Sequence, residues 1–412
     1  MNDTTLYQQI LGLSAPWRVT GVTLHREAQS IEVEVACAAG EVWACPLCHQ
    51  RMHVHAYERR RWRHLDSCQY RTFVMADVPR VQCPAHGTQT VQVPWAEKHS
   101  RFTLLFERLA IDLLLECSIR GACDILRVSW DEADGLKQRA VRRGLARKPA
   151  RILRRLCVDE KNAGPGLGFM TVVSSLDGPQ ATLEYLGDGR TREALDGFWQ
   201  PQSAAQRAGV EAVGMDLWAP YYVSTVAHVP DAHRKIVHDP FHLVRYMNEA
   251  VDDVRKAEHR RLQAHDDDTL KGSRQLWLYG QENLPPQLVQ PFATLRHSAV
   301  RTARAWSFKE LFRSFWDCAG VAAARSFYAD WHRRAMRSQL VPVKKVARMF
   351  QRHLENILTY FQHGLTNAAA EGLNNKIQAV IKKAYGFRNR ARLYADLYFH
   401  CGGLNLYPAL PQ

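Results

Sequence analysis

Two short pairs of metal-binding side chains, Cys45-Pro46-Leu47-Cys48 and Cys83-Pro84-Ala85-His86, constrain this chain more than any other feature. Within each pair the ligands stand three positions apart, so a tight knuckle can aim both at one ion. Two knuckles complete a tetrahedral zinc site. The Pro after each first Cys restricts its turn, and residues 49–82 suit a ribbon of strands between the knuckles. Four protein ligands leave no open coordination position, so a Zn²⁺ held here is expected to be structural. His53, His55, His64 and Cys68 lie between the knuckles as competing ligands, but none makes a second pair.

The rest of the chain is too long to be organised by one zinc knot. Its 412 residues allow two to four domains, and 46% hydrophobic content supports sizeable cores. No run of about 18 apolar residues occurs, so no membrane span is expected. The N-terminus, MNDTTLYQQILGL, lacks the basic-then-apolar order of a secretory signal. The ten cysteines are scattered, and Cys117, Cys123, Cys157 and Cys401 sit in apolar surroundings, which reads as a reducing, cytoplasmic setting. The net charge of +14 favours a polyanionic partner, either nucleic acid or an anionic membrane, and without a long amphipathic membrane anchor nucleic acid is the one expected. The charge is also concentrated: residues 137–155 and 376–392 are dense in Lys and Arg and contain no acid.

The first basic run begins within a helical segment. Two helices are expected at 107–127 and 129–142, with Ser129 as N-cap and Glu132 completing a capping box. The stretch from Gly121 to Ser129 fits a helix, a tight turn and a second helix, as in a helix-turn-helix. That second helix is expected to present Lys137, Gln138, Arg142 and Arg143 to DNA. The linker ARKPAR adds Arg147, Lys148 and Arg151, and the second basic run supplies Lys376, Lys382 and Lys383. The alternative to DNA binding is an ordinary helical hairpin with a solvated basic face.

Beyond the linker the pattern changes. Strands are expected near 155–159, 168–176, 181–187, 210–216 and 234–238, with a hairpin at Asp177-Gly178 and helices at 191–199 and from Ala219-Pro220. Three strands, a helix, a strand, a helix and a strand suit a mixed sheet with helices on its faces. In an RNase H-like sheet the first and fourth strands are neighbours. Asp159 and Asp216 end those two strands, and Glu371 lies on a late helix. Each acid follows or interrupts an apolar run, where an uncompensated carboxylate is costly. A pair of Mg²⁺ or Mn²⁺ ions supplies the compensation, and two such ions about 4 Å apart drive phosphoryl transfer. Asn367, Glu371 and Asn375 share a helix face, with Lys382 near it. Glu160 is expected on the opposite sheet face, and Asp266, Asp267 and Asp268 in a solvated loop.

At these residues the chain resembles the ISL3 family of insertion-sequence transposases. The resemblance runs through the Cys-Pro-x-Cys and Cys-x-x-His pairs, Val158-Asp159-Glu160, Met215-Asp216-Leu217-Trp218-Ala219-Pro220-Tyr221 and Asp239-Pro240-Phe241-His242. It continues through Thr366-Asn367, Glu371-Gly372-Leu373-Asn374-Asn375-Lys376 and Ala384-Tyr385-Gly386-Phe387-Arg388-Asn389. It covers nearly all of residues 40–400 in the family's order. It implies a DDE triad of Asp159, Asp216 and Glu371, an all-helical insertion between the second Asp and the Glu, and an auxiliary motif in Asp239 and His242. The chain departs from the family's pattern at His86, where a final Cys is usual, and at Pro240, where a Lys is.

The expected architecture is therefore an α/β chain: an RNase H-like mixed-sheet core with a helical insertion, plus an N-terminal zinc module and a helix-turn-helix. The divisions are a zinc module at 1–95, a helix-turn-helix domain at 96–150, a first catalytic part at 151–243, an insertion at 244–350, and C-terminal catalytic helices at 351–412. The expected function is metal-dependent cleavage and strand transfer of DNA at terminal inverted repeats, by a homodimer on DNA that also takes target DNA and no membrane. A zinc and helix-turn-helix regulator without catalysis is the alternative, since it explains residues 41–150 but leaves the three acids idle. A metal-dependent nuclease without joining activity shares the acids.

Overall fold

The computed structural model describes residues 2–298, 300–365, 368–384 and 386–410. The chain forms two compact units, one of residues 1–149 with 395–412 and the other of 150–394.

The first unit opens with a helix, Asp3–Ile10, and seven strands: β1 (Trp17–His25), β2 (Ser30–Cys37), β3 (Trp43–Ala44), β4 (Arg51–Met52), β5 (Val54–Arg63), β6 (Arg71–Cys83) and β7 (Gly87–Thr90). β1 and β2 pair antiparallel. The larger sheet runs β1-β2-β6-β5, with β7 on β6, and β3 pairs with β4 as a separate ribbon. Its buried side is held by Trp17, Trp62 and Trp95, whose rings meet edge to face, 5.0 Å apart for Trp17–Trp95 and 5.3 Å for Trp62–Trp95.

Three helices follow: Leu104–Glu116, Ile119–Leu126 and Trp130–Ala146. The single helix expected at 107–127 is broken, because Cys117 is extended and the Ser118 hydroxyl caps a new helix by accepting from the Gly121 amide. Arg127 takes a left-handed conformation (φ 54°) and makes the tight turn into the third helix. Ser129 and Glu132 form the expected capping box there. The C-terminal segment, expected with the catalytic half, packs here instead: Phe399 and Leu406 join Phe106, Ile111, Leu126 and Leu136 in one apolar core. Gly144 is needed for this contact, since a Cβ there would lie 2.7 Å from the Leu404 side chain.

The second unit contains a five-stranded mixed sheet: β8 (Arg155–Asn162), β9 (Phe169–Ser175), β10 (Thr182–Asp188), β11 (Ala212–Met215) and β12 (Ile236–His238). The order is β10-β9-β8-β11-β12. β9 is antiparallel to β8 and β10, while β11 is parallel to β8 and β12. The first and fourth strands of this unit are thus neighbours, as expected. The helices Arg192–Trp199 and Ala219–His228 pack on the sheet through Leu195, Trp199 and Tyr221. Pro220 sits in the first turn of its helix, where the missing amide costs nothing.

From Pro240 to Arg352 the described residues are helical apart from turns and short loops. An aromatic core of Trp277, Phe292, Trp306, Phe312, Phe315, Tyr328, Trp331 and Phe350 holds this region. The first helix, Pro240–Gln263, begins directly after β12 with Asp239 as its N-cap. The helix Ala368–Lys383 follows the insertion and carries Glu371. Thr366, Asn367 and Tyr385, which belong to the motifs above, lie outside the described residues. No helix among the described residues is long and apolar enough to cross a membrane.

Candidate functional site

The zinc ligands converge. Cys45 and Cys48 flank the turn after β3, Cys83 ends β6, and His86 lies in the turn to β7. Their ligand atoms all lie within 4.8 Å of one another. Cys48 and Cys83 sulfurs are 3.6 Å apart, and His86 Nδ1 is 3.4 Å from Cys83 and 3.9 Å from Cys45. Burial opposes ionisation of the Cys45 thiol, but the backbone amides of Cys48 and Leu47 together with the Cys48 and Cys83 thiols outweigh it and bring its pKa down to about 6. Two amides aimed at a sulfur are what a thiolate ligand requires, so this donor set fits a structural zinc ion. The competitors stay apart: His53 and His55 are exposed on or beside β5, Cys68 is exposed, and His64 is buried. His64 bonds Thr103 at 2.9 Å, and burial lowers its pKa to about 4.

The helix after the tight turn uses much of its charge internally. Lys137 is buried, paired with Asp396 and set over the Phe399 ring, so it does not face DNA as expected. Arg143 is likewise withdrawn: it binds Glu97 at 2.6 Å, the buried Glu107 at 2.8 Å and the Leu406 carbonyl. The sequence pattern missed both because their acidic partners are distant in the chain. Gln138 and Arg142 are exposed, Gln138 donating to Asp134 at 2.7 Å. Arg147 is exposed and donates to the Tyr407 carbonyl at 2.6 Å, and Lys148 is half-buried. In the second unit Arg151 pairs with Glu184 at 2.9 Å, and Lys376, Lys382 and Lys383 are exposed along their helix.

The second unit brings Asp159 and Glu371 to one cleft of about 420 Å³, together with Lys161, Asp239, His242, Asn374, Asn375 and Gln378. Asp159, expected to end its strand, lies within β8, which runs on to Asn162, and one of its oxygens accepts from the Glu160 amide at 2.7 Å. Its other oxygen accepts from Asn374 at 2.7 Å and pairs with Lys161 at 3.1 Å. Asn374 was not singled out from the sequence. It stands three residues from Glu371 rather than four, and both spacings share a helix face. Glu160 is turned to Arg190, 3.4 Å away.

Asp216 does not line that cleft. One of its oxygens meets Arg245 at 2.8 Å, and the other accepts from the Leu217 amide at 2.6 Å and the Tyr246 hydroxyl at 3.3 Å. His242 links it to the cleft, 3.7 Å from Asp216 and 4.0 Å from Asp239. Asp239 caps its helix by accepting from the Phe241 amide. Burial, and then the Asp216 charge, push the Tyr246 hydroxyl up; burial works against the Arg245 charge, but Asp216 outweighs it. Among the described residues the three nominated carboxylates do not close to ligand spacing as the zinc residues do. Asp159 and Asp216 are instead each turned to a cation of their own chain. Asp266, Asp267 and Asp268 lie in a loop after the helix Pro240–Gln263, where Asp267 caps Thr269 and Asp268 pairs with Lys271.

Comparison with known proteins follows the same layout. Residues 41–86 match the zinc-finger of transposase IS204/IS1001/IS1096/IS1165, and residues 91–136 match the helix-turn-helix domain of transposase family ISL3. The chain is similar to the transposase for insertion sequence element IS1001 of Bordetella parapertussis, at 27% identity over 87% of this chain and 88% of that protein. It is also similar to the transposase for insertion sequence element IS1557 of Mycobacterium tuberculosis, at 27% identity over 82% of this chain and 80% of that protein. Residues 156–397, more than half of the chain and the stretch that holds Asp159, Asp216 and Glu371, match the ISL3 DDE family described as transposase. The chain therefore belongs to the ISL3 family of insertion-sequence transposases.

Proposed function

We propose that this DNA-binding, DNA-processing enzyme cuts the 3′ ends of its insertion sequence at the terminal inverted repeats and joins them to target DNA, with Asp159, Asp216 and Glu371 as the catalytic carboxylates. The observation that carries this reading is the cleft in which Asp159 meets a helix more than two hundred residues later in sequence, bonded to Asn374 and lined by Glu371. An RNase H-like core is supported by the strand order, with three antiparallel strands followed by two parallel ones beside the first. The domain divisions expected from the sequence belong to the same reading, except that residues 395–412 go with the first unit. A homodimer holding both ends completes it.

The donors around the cleft fit a hard divalent cation, Mg²⁺ or Mn²⁺. Carboxylates of Asp159, Glu371 and Asp239 stand beside the amides of Asn374, Asn375 and Gln378, with no sulfur among them. Such ions, when bound, activate the attacking oxygen and stabilise the leaving one. The chain's own groups orient this set. Asn374 fixes the Asp159 carboxylate, and Lys161 offsets its charge until DNA arrives. Asp239 and His242 form an auxiliary bridge towards Asp216. Water breaks the 3′ phosphodiester first, and the freed 3′-hydroxyl then attacks target DNA. Lys376, Lys382 and Lys383, exposed on the helix of Glu371, are placed in this reading as phosphate contacts, as are Gln138, Arg142, Arg147, Lys148 and Arg151 on the DNA-binding side.

The test is Mg²⁺-dependent cleavage and joining of labelled inverted-repeat ends. Glu371→Gln, Asp159→Asn and Asp216→Asn are each expected to bind the ends normally and to lose cleavage by several orders of magnitude, because residues acting as one unit are strongly non-additive. Near-normal cleavage by Glu371→Gln would sink the triad and favour a regulator that only binds DNA. Cleavage without joining would favour a nuclease.

A further inference from the structure

The first two turns of the helix Pro240–Gln263 converge on Asp216. His242, Arg245 and Tyr246, spaced three and four residues apart, share one helix face and stand 3.7, 2.8 and 3.3 Å from its carboxylate. With the Leu217 amide, both carboxylate oxygens are engaged. Oδ1 already accepts twice, while Oδ2 meets the Arg245 guanidinium, so a hard cation approaching Oδ2 competes with a positive charge already there. Arg245 is the partner able to leave. Its side chain is 46% exposed, against 7% for Arg143, which two carboxylates and a carbonyl hold fast. An arginine cannot shed its proton, so its charge persists at the site until another anion draws the guanidinium away. The nearest alternative in the chain, Glu249, is 3.9 Å away. A DNA phosphate suits the guanidinium fork better, since it accepts two parallel hydrogen bonds.

We propose, on the reading of Asp216 as a metal ligand, that Arg245 holds the place of the divalent ion at Asp216 in the DNA-free protein and transfers to a DNA backbone phosphate, which opens Asp216 to the ion. Metal loading and DNA binding are then coupled, and by linkage each strengthens the other. The protein is kept from assembling a loaded site away from its DNA. Lys161 stands in the same relation to Asp159, but there Asn374 keeps one oxygen oriented whether or not the lysine leaves.

The experiment measures Mn²⁺ binding to the zinc-loaded full chain by the electron paramagnetic resonance signal of free Mn²⁺. It is run with and without a pre-cleaved inverted-repeat duplex and with no target DNA. Without DNA, Arg245→Gln is expected to bind Mn²⁺ about fivefold more tightly than wild type, the scale of one half-exposed charge pair acting on a divalent ion. Measured against the duplex alone, DNA should tighten Mn²⁺ binding about fivefold more in wild type than in Arg245→Gln, so that the two proteins converge in the complex. Arg245→Lys keeps the pairing and should stay near wild type. Arg245→Gln binding Mn²⁺ no more tightly than wild type would overturn the proposal, as would equal tightening by Arg245→Lys. Asp216→Asn separates the two readings: if it binds Mn²⁺ as wild type does, Asp216 is not a metal ligand and the underlying assignment fails instead.

Discussion

Lys137 carries a charge that the fold consumes. It is buried against Asp396, and both side chains have lost most of their water. Removing one partner of such a pair leaves the other charge uncompensated, which costs more than the pair contributes when intact. Lys137→Met is therefore expected to lower the stability of the first unit by about 2–3 kcal/mol, somewhat under the fully buried case because Asp396 keeps slight access to water. The double variant Lys137→Met, Asp396→Leu should recover most of that loss, measured by chemical unfolding of all three proteins. A single variant as stable as wild type would return Lys137 to the DNA-facing surface. The sequence assigned the residue to DNA, since a lysine on a basic helix reads as solvated until its distant partner is known. Asn374 shows the converse limit. The helix face of Glu371 was legible, but spacing alone does not say whether the third or the fourth neighbour reaches across to Asp159.

At the scale of elements, the strands of the second unit were legible because short apolar runs end at Gly, Asp or Pro, and each observed strand begins within about two residues of its expected start. The break at Cys117 was not, because the residues on both sides keep helical apolar spacing and only the capping geometry of Ser118 ends the run. The third helix of the first unit then sorts its arginines by contact. Arg142 is exposed and Arg147 gives its hydrogen bond to a carbonyl, whereas Arg143 is bound by Glu97 and Glu107. Replacing Arg142 and Arg147 by Ala should weaken end binding without unfolding the helix. The salt dependence should flatten by up to roughly 0.9 log units per lost phosphate contact. Arg143→Ala should instead lower thermal stability, because it leaves the buried Glu107 with Arg139 as its remaining arginine partner. Binding titrations at several salt concentrations, beside melting curves, check both halves. An unchanged slope in the first variant would mean those arginines face solvent on the DNA complex.

The whole molecule combines two means of stabilisation. The second unit is held by its sheet and by the aromatic core of its helical insertion, which need no metal for their packing. The first has apolar cores under its larger sheet and among its helices, but the β3–β4 ribbon and the turn into β7 bury little. There the four converging ligands take over, and binding free energy becomes folding free energy. The placement of residues 395–412 in this unit was not legible from sequence. It rests on contacts such as Leu404 against Gly144, which join chain segments more than 250 residues apart and leave no local pattern. Cys45→Ser should therefore release zinc and unfold the knuckle region while the aromatic core of the second unit keeps its near-ultraviolet circular dichroism. Because the ligands bind as thiolates and neutral imidazole, wild-type zinc affinity should also fall as pH drops and protons compete for the sulfurs. Metal content of the purified variant, read beside its circular dichroism, decides the matter. Zinc retained in full would remove Cys45 from the ligand set, and loss of both units together would mean that the zinc knot supports the entire chain.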